Sequence, residues 1–153
     1  MKQMYLSVVI PCYNAEHNIR RTLARVGEFL RETRWAFEII LVDDGSRDGT
    51  VTIIEEFIEG KKEFRLIKNQ HRGKGYTVRT GMLAARGKYV LFSDADLATP
   101  IEEVKKLLLW VEEQGFDIAI ASREGVGARR EDEPMYRHIM GRVFNWLVQR
   151  LAL

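Results

Sequence analysis

Five short runs of apolar, largely β-branched residues, at positions 6–10, 37–42, 64–67, 89–92 and 117–121, alternate with stretches whose apolar residues recur at helical spacing. That alternation leaves few folds open. Strands separated by helices pair in parallel, and right-handed crossovers cover both faces of the sheet with helices. The local signals agree with the spacing. Asn14 is placed to cap a helix running to about Thr33, and Asp48 to cap one that stops at Gly60. Another helix is expected from about Lys74 to Ala85, ending before Gly87. Thr99, Pro100 and Glu102 form a capping box with proline in the first turn, and Gly115 closes that helix. The expectation is an α/β fold with a mostly parallel sheet ordered 3-2-1-4 and the fifth strand beyond. A length of 153 residues suits one core. A last helix opens at Pro134 after a charged loop and is still apolar at Leu153, the pattern of a chain that continues into a larger design.

In an open parallel sheet, ligands bind beyond the carboxyl ends of the strands. Every unusual polar cluster falls there. The first strand is followed by Pro11, Cys12, Tyr13 and Asn14, and the second by Asp43, Asp44, Gly45 and Ser46. Asp94, Ala95 and Asp96 follow the fourth, and Ser122 and Arg123 the fifth. Asp94 and Asp96, two residues apart, can aim their carboxylates the same way. As hard oxygen donors they suit Mg2+ or Mn2+, with water and phosphate as the remaining ligands. Asp43 and Asp44 lie in a sequence that also makes an ordinary turn, but four carboxylates on neighbouring strand ends call for a cation or hydrogen-bond donors. Gly73, Lys74, Gly75 and Tyr76 follow the third strand, not the first, and Val78 stands where a dinucleotide fingerprint needs its third glycine. Close backbone approach to a nucleotide, with Lys74 as a point charge, remains open beside a plain helix start.

Other residues are expected to be structural. His17, His71 and His138 have no spacing that makes a metal or catalytic pair, so they are read as surface or structural, and Trp35, Trp110 and Trp146 as core. Cys12, the single cysteine, is read as a small buried residue. One thiol fits a reducing compartment. A formal charge of +2 with 30% charged residues gives no reason to invoke nucleic acid. Apolar runs fall far short of the ~20 residues that span a bilayer, and residues 1–6 lack a signal-peptide pattern.

The segments SVVIPCYNAE, EIILVDDGSRDGT, NQHRGKGYTVRTGMLAARGKYVLFSDADLATP and DIAIASR, in this order and spacing, resemble the family 2 glycosyltransferases. Within them the likeness is nearest to the dolichyl-phosphate glucose and mannose synthases. The resemblance implies a single GT-A domain over 1–153, with 1–122 binding the nucleotide sugar and 123–153 beginning the acceptor and membrane side. By the resemblance, Pro11, Tyr13, Asn14, Asp43 and Asp44 hold the nucleoside, Lys74 sits beside it, and Asp94 and Asp96 serve metal and ribose. Arg123 and, on a helix like the family's acceptor-side helix, Arg137 would face phosphate. Ala98 stands where many mannose synthases carry glutamine, and DADLATP is more like the glucose-transferring branch.

The implied reaction is metal-dependent, inverting transfer of a hexose to a polyprenyl or dolichyl phosphate at the cytoplasmic face of a membrane. UDP-glucose is the favoured donor and GDP-mannose the alternative. A lipid phosphate is already anionic, so it needs cationic positioning rather than a general base. Arg123, Arg129, Arg130, Arg137 and Arg142 are available, although Arg129 and Arg130 abut Glu131, Asp132 and Glu133 as solvated partners. The closing helix has a wide apolar arc that suits a membrane surface, a further part of the protein or a second subunit in a homodimer.

Rival readings are distinguishable. A phosphatase of the HAD type would carry its aspartate pair after the first strand, and a sugar-nucleotide pyrophosphorylase would open with a glycine-rich loop. A nucleotide-sugar-binding pseudoenzyme would bind without transfer, and a saccharide-directed family 2 transferase would use another acceptor.

Overall fold

The computed structural model describes residues 3–121. Strand β1 (Leu6–Cys12) leads to helix α1 (Ile19–Glu32), β2 (Phe37–Asp43) to α2 (Thr50–Ile58), and β3 (Phe64–Lys68) to α3 (Lys74–Ala84). Strand β4 (Tyr89–Phe92) is followed by a 3-10 turn (Ile101–Glu103) that runs into α4 (Val104–Glu113). All pairings are parallel and the order is β3-β2-β1-β4, as expected from the alternation. Val8 sits opposite Ile39 on one side and Leu91 on the other, which aligns the strand ends on one rim.

The pleat divides the core in two. Leu6, Val8, Ile10 and Cys12 of β1, with Ile39 and Leu41 of β2, pack against Leu23, Val26 and Leu30 of α1, Ile54 of α2, and Ile101, Val104 and Leu108. Ile19, Leu23, Val26 and Leu30 recur at helical spacing and are all fully buried. On the opposite face, Val9, Ile40 and Val42 lie under α3. Gly81 permits that contact: a Cβ there would stand 2.3 Å from Val9 Cγ1 and 3.0 Å from Val42 Cγ2. Away from the rim that carries the aspartates, Glu38 is buried. It accepts hydrogen bonds from the Ser7 hydroxyl (2.8 Å), the Arg86 backbone (2.8 Å) and the Arg86 guanidinium (2.8 and 3.2 Å).

Several expectations need correction. Asn14 does not cap α1, which begins at Ile19 without a side-chain cap. Asn14 instead adopts φ 48° and ties two loops together. Its Oδ1 accepts from the Arg47 N–H (2.9 Å), and its own N–H donates to Ser46 Oγ (2.9 Å). Asp48 lies one residue before the N-cap Gly49 but still serves the start of α2, accepting the Thr50 N–H at 3.0 Å. Thr99 makes no cap, because the chain enters α4 through the 3-10 turn. Residues 117–121 form no strand. A strand exists only through pairing, none is made to them among the described residues, and Ile118 is 79% exposed. Trp35 packs on the core as expected, but Trp110 is 55% exposed beside Phe116, because its position on α4 faces away from the sheet.

The elements above belong to one compact unit that ends at Ala119. Ser122, Arg123, Arg129, Arg130, Arg137, His138, Arg142, Trp146 and the helix expected from Pro134 lie outside the described residues. No helix among the described residues is long and apolar enough to cross a membrane.

Candidate functional site

The aligned strand ends enclose an open cleft of about 410 Å³. Pro11, Cys12, Tyr13, Asn14, Ala15 and Asn18 line it from the β1–α1 connection, and Asp44 from the end of β2. His71, Gly73, Lys74 and Thr77 enter from the β3–α3 connection and α3, and Asp94, Ala95 and Asp96 follow β4. The structure therefore gathers Pro11, Tyr13, Asn14, Asp44, Lys74, Asp94 and Asp96 at one place.

Asp43, the last residue of β2, and Asp44, which follows it, are not equivalent, because successive residues point to opposite faces. Asp43 lies beneath the cleft, buried on the α1 side. Its Oδ2 accepts the N–H groups of Gly45 (3.0 Å) and Ser46 (3.1 Å), and its Oδ1 has no hydrogen-bond partner among the described residues. Asp44 turns toward α3 and into the cleft wall. Its Oδ1 accepts the Arg72 N–H (2.9 Å), and its Oδ2 accepts the Gly73 N–H (2.9 Å) and lies 2.8 Å from His71 Nδ1. Burial acts to raise the Asp44 pKa. The Arg72 amide, the Thr77 hydroxyl, the Gly73 amide and the nearby His71 outweigh it and hold the carboxyl below the usual carboxylate range. Asp44 is thus the clasp of the loop that launches α3.

His71 was grouped above with structural histidines, yet it lines the cleft. Its ring stacks on Tyr13 with centroids 4.4 Å apart and planes 23° from parallel. Spacing had no means of revealing this, since both partners come from distant segments. His17, by contrast, is an exposed surface residue beside Glu16. Cys12 is buried, and burial, with the Asp43 charge second, pushes its thiol up to about 12, so it is a packing residue rather than a nucleophile.

At the end of β4, Thr22 of α1 donates to the Ala95 carbonyl (2.6 Å) and anchors the turn between the two aspartates. Asp94 is 45% exposed, and its Oδ1 lies 2.6 Å from Lys74 Nζ. Asp96 is exposed, with Oδ1 accepting the Ala98 N–H at 3.0 Å. Among the described residues no group of three or more His, Cys, Asp or Glu side chains stands ready to hold a metal. Two accessible carboxylates fit Mg2+ or Mn2+ if phosphate and water supply the other ligands, which is the habit of those ions.

Residues 7–151 match the family model described as Glycosyl transferase family 2. The chain is 45% identical over 116 residues to a dolichyl-phosphate beta-glucosyltransferase of Saccharomyces cerevisiae, covering 70% of this chain and 34% of the relative. It is 32% identical over 147 residues to an undecaprenyl-phosphate 4-deoxy-4-formamido-L-arabinose transferase of Aeromonas hydrophila, covering 95% of this chain and 43% of the relative. The chain thus spans less than half the length of these curated relatives. Staphylococcus aureus TarS 1–349 in complex with UDP-GlcNAc superposes with a TM-score of 0.62 at 27% identity, over 88% of this chain and 38% of that one. A Pyrobaculum calidifontis mannosyltransferase in complex with GDP-Man and Mn2+ gives 0.60 at 24% identity, over 73% and 33%, a likeness of fold. The architecture is that of the GT-A glycosyltransferases.

Proposed function

The chain belongs to glycosyl transferase family 2, and we propose that it is the donor-binding part of an enzyme that moves a hexose, glucose before mannose, onto a polyprenyl or dolichyl phosphate. The observation that carries this reading is the meeting of Tyr13, Asp44, Lys74, Asp94 and Asp96 around one cleft on the carboxyl rim of the sheet. The two relatives named above act, by their names, on dolichyl and undecaprenyl phosphates, which supports the acceptor class. UDP-glucose is the favoured donor, and GDP-mannose the alternative.

In this reading Pro11, Tyr13 and Asn14 hold the nucleoside from the β1–α1 loop, with Asp43 and Asp44 supporting it from below and from the side. Asp94 and Asp96 would hold Mg2+ or Mn2+, which when bound offsets the charge that develops on the departing diphosphate. Lys74 adds a monovalent charge on the α3 side of the cleft. The acceptor's phosphate oxygen attacks the anomeric carbon from the face opposite the leaving group, so configuration inverts, and the nucleoside diphosphate departs. That oxygen arrives anionic, so the protein must position it rather than deprotonate it. The four aspartates crowd the donor side with negative charge, so a second anion needs guanidinium groups to meet it. Arg123 and Arg137 are assigned that task, with the protein peripheral on the cytoplasmic face of the membrane.

Calorimetric titration of UDP and GDP, each with and without Mn2+, tests the donor site. One nucleotide should bind, more tightly with metal, and Asp96→Asn should remove the metal's contribution. Undiminished metal-dependent binding in that variant refutes the Asp94–Asp96 assignment. For the acceptor, Arg123→Ala and Arg137→Ala in membranes containing the protein should lower transfer to a polyprenyl phosphate by ~10²-fold, as when an oriented charge-assisted contact is lost. Nucleotide affinity should hardly change. Equal loss of donor affinity would move these arginines to the diphosphate, and nucleotide binding without any transfer by the unaltered protein would make it a binding module.

A further inference from the structure

Lys74 is the first residue of α3. Asp44 accepts the N–H groups of Arg72 and Gly73, so the backbone immediately before Lys74 is tied to β2. The Lys74 side chain, however, is 64% exposed. Its ammonium lies 5.4 Å from the Phe92 ring centroid and 2.6 Å from Asp94 Oδ1. A held pivot therefore carries an exposed cationic arm whose tip rests on one of the two carboxylates assigned to the metal.

We propose that Lys74 is an exchangeable counter-ion for Asp94. Its ammonium holds that carboxylate in the ligand-free protein and passes to the donor's diphosphate when a divalent ion takes the carboxylate, so that metal enters with nucleotide rather than ahead of it. This rests on the donor-site reading above and adds an order of binding to it.

The charge balance favours the exchange. A divalent ion arriving alone at Asp94 meets a like charge within a few ångströms, with Asp96 as the second open carboxylate among the described residues that line the cleft. Asp44 cannot help, since it is buried and its oxygens are already engaged by the Arg72 and Gly73 amides with His71 beside them. A metal arriving with a diphosphate brings its own oxygen ligands, which Mg2+ and Mn2+ require in number, and a new anionic partner for the ammonium. The existing ion pair is no obstacle to that, because a pair this exposed is weakened by solvent screening. Lysine suits the part better than arginine, its compact charge sitting on a flexible four-carbon stem.

The test is Mn2+ binding to the chain without nucleotide, read from the loss of the free-ion electron paramagnetic resonance signal, in the unaltered protein and in Lys74→Met and Lys74→Arg. UDP and GDP binding is measured in parallel with chelator and with Mn2+. Removing one positive charge a few ångströms from a divalent ion should tighten Mn2+ alone by roughly fivefold to tenfold in Lys74→Met, allowing for high solvent screening. The same variant should bind nucleotide diphosphate more weakly in chelator. The factor by which metal and nucleotide strengthen each other, which is reciprocal, should shrink. Lys74→Arg, which keeps the charge, should resemble the unaltered protein in Mn2+ affinity.

If the metal–nucleotide pair binds but Lys74→Met leaves Mn2+ affinity unchanged or weaker, the donor site stands and the exchange is overturned. If Lys74→Arg tightens Mn2+ as much as Lys74→Met does, the effect belongs to packing and the proposal also falls. If the unaltered protein binds neither metal nor nucleotide, both readings fail together.

Discussion

Replacing Asp44 by asparagine isolates what holds the α3 side of the cleft. Asp44 is 3% exposed, and its two carboxylate oxygens accept the Arg72 and Gly73 amides, with His71 Nδ1 2.8 Å from Oδ2. Asparagine keeps the shape but has one oxygen. Whichever way the amide is turned, its NH2 faces a backbone N–H, so one hydrogen bond to a charged acceptor is lost and a donor is left unmet. The cost is about 1.5–3 kcal/mol. For a folded unit of this size that should lower Tm by about 6–12 °C.

The effect depends on pH in a defined direction. The folded carboxyl is held below its ordinary value, so the unfolded chain takes up the proton first as pH falls. The stabilisation from the charge is therefore complete above the unfolded aspartate pKa of about 3.9 and disappears as pH drops through the lower folded value. Thermal denaturation of both proteins from pH 7 down to pH 3 should give a constant gap that closes below about pH 4. Amide hydrogen exchange at Arg72 and Gly73 should speed up selectively in the variant. Equal Tm values at neutral pH, or unchanged exchange at those two amides, would refute the assignment of Asp44 as the clasp.

Two further outcomes concern the core. Gly81→Ala gains helix propensity but drives a Cβ into Val9 and Val42, so denaturant melts should show a net loss of about 1–3 kcal/mol; a variant as stable as the parent would mean that α3 does not rest on the sheet as described. Cys12, buried and with its thiol pushed up to about 12, should react with an aromatic disulfide reagent at least ~100-fold more slowly in native than in denatured protein. Rapid native labelling would contradict its place in the core.

The elements of this protein are legible in its residues because a buried parallel strand writes itself as a continuous apolar run and a surface helix as a stripe. Strands β1 to β4, their order and the rim on which Asp44 and Asp94 lie follow from that periodicity and from the handedness of crossovers. Residues 117–121 carry the same apolar signal and form no strand, since composition can nominate a strand but only a paired neighbour completes it. Cap residues misled for a related reason. Asn14 has the chemistry of a helix cap, but Ser46 and Arg47, more than thirty positions away, take up its hydrogen bonds.

The character of each site residue was likewise settled in three dimensions. Sequence alone determined that four aspartates stand at strand ends. Only the tertiary structure decided that Asp43 is buried under a turn, that Asp44 is saturated by a loop, and that Asp94 and Asp96 stay accessible, with Lys74 resting on Asp94. The reason is physical: whether a carboxylate is free to act depends on which donors surround it and how much water reaches it, and both are properties of contacts between segments far apart in the chain.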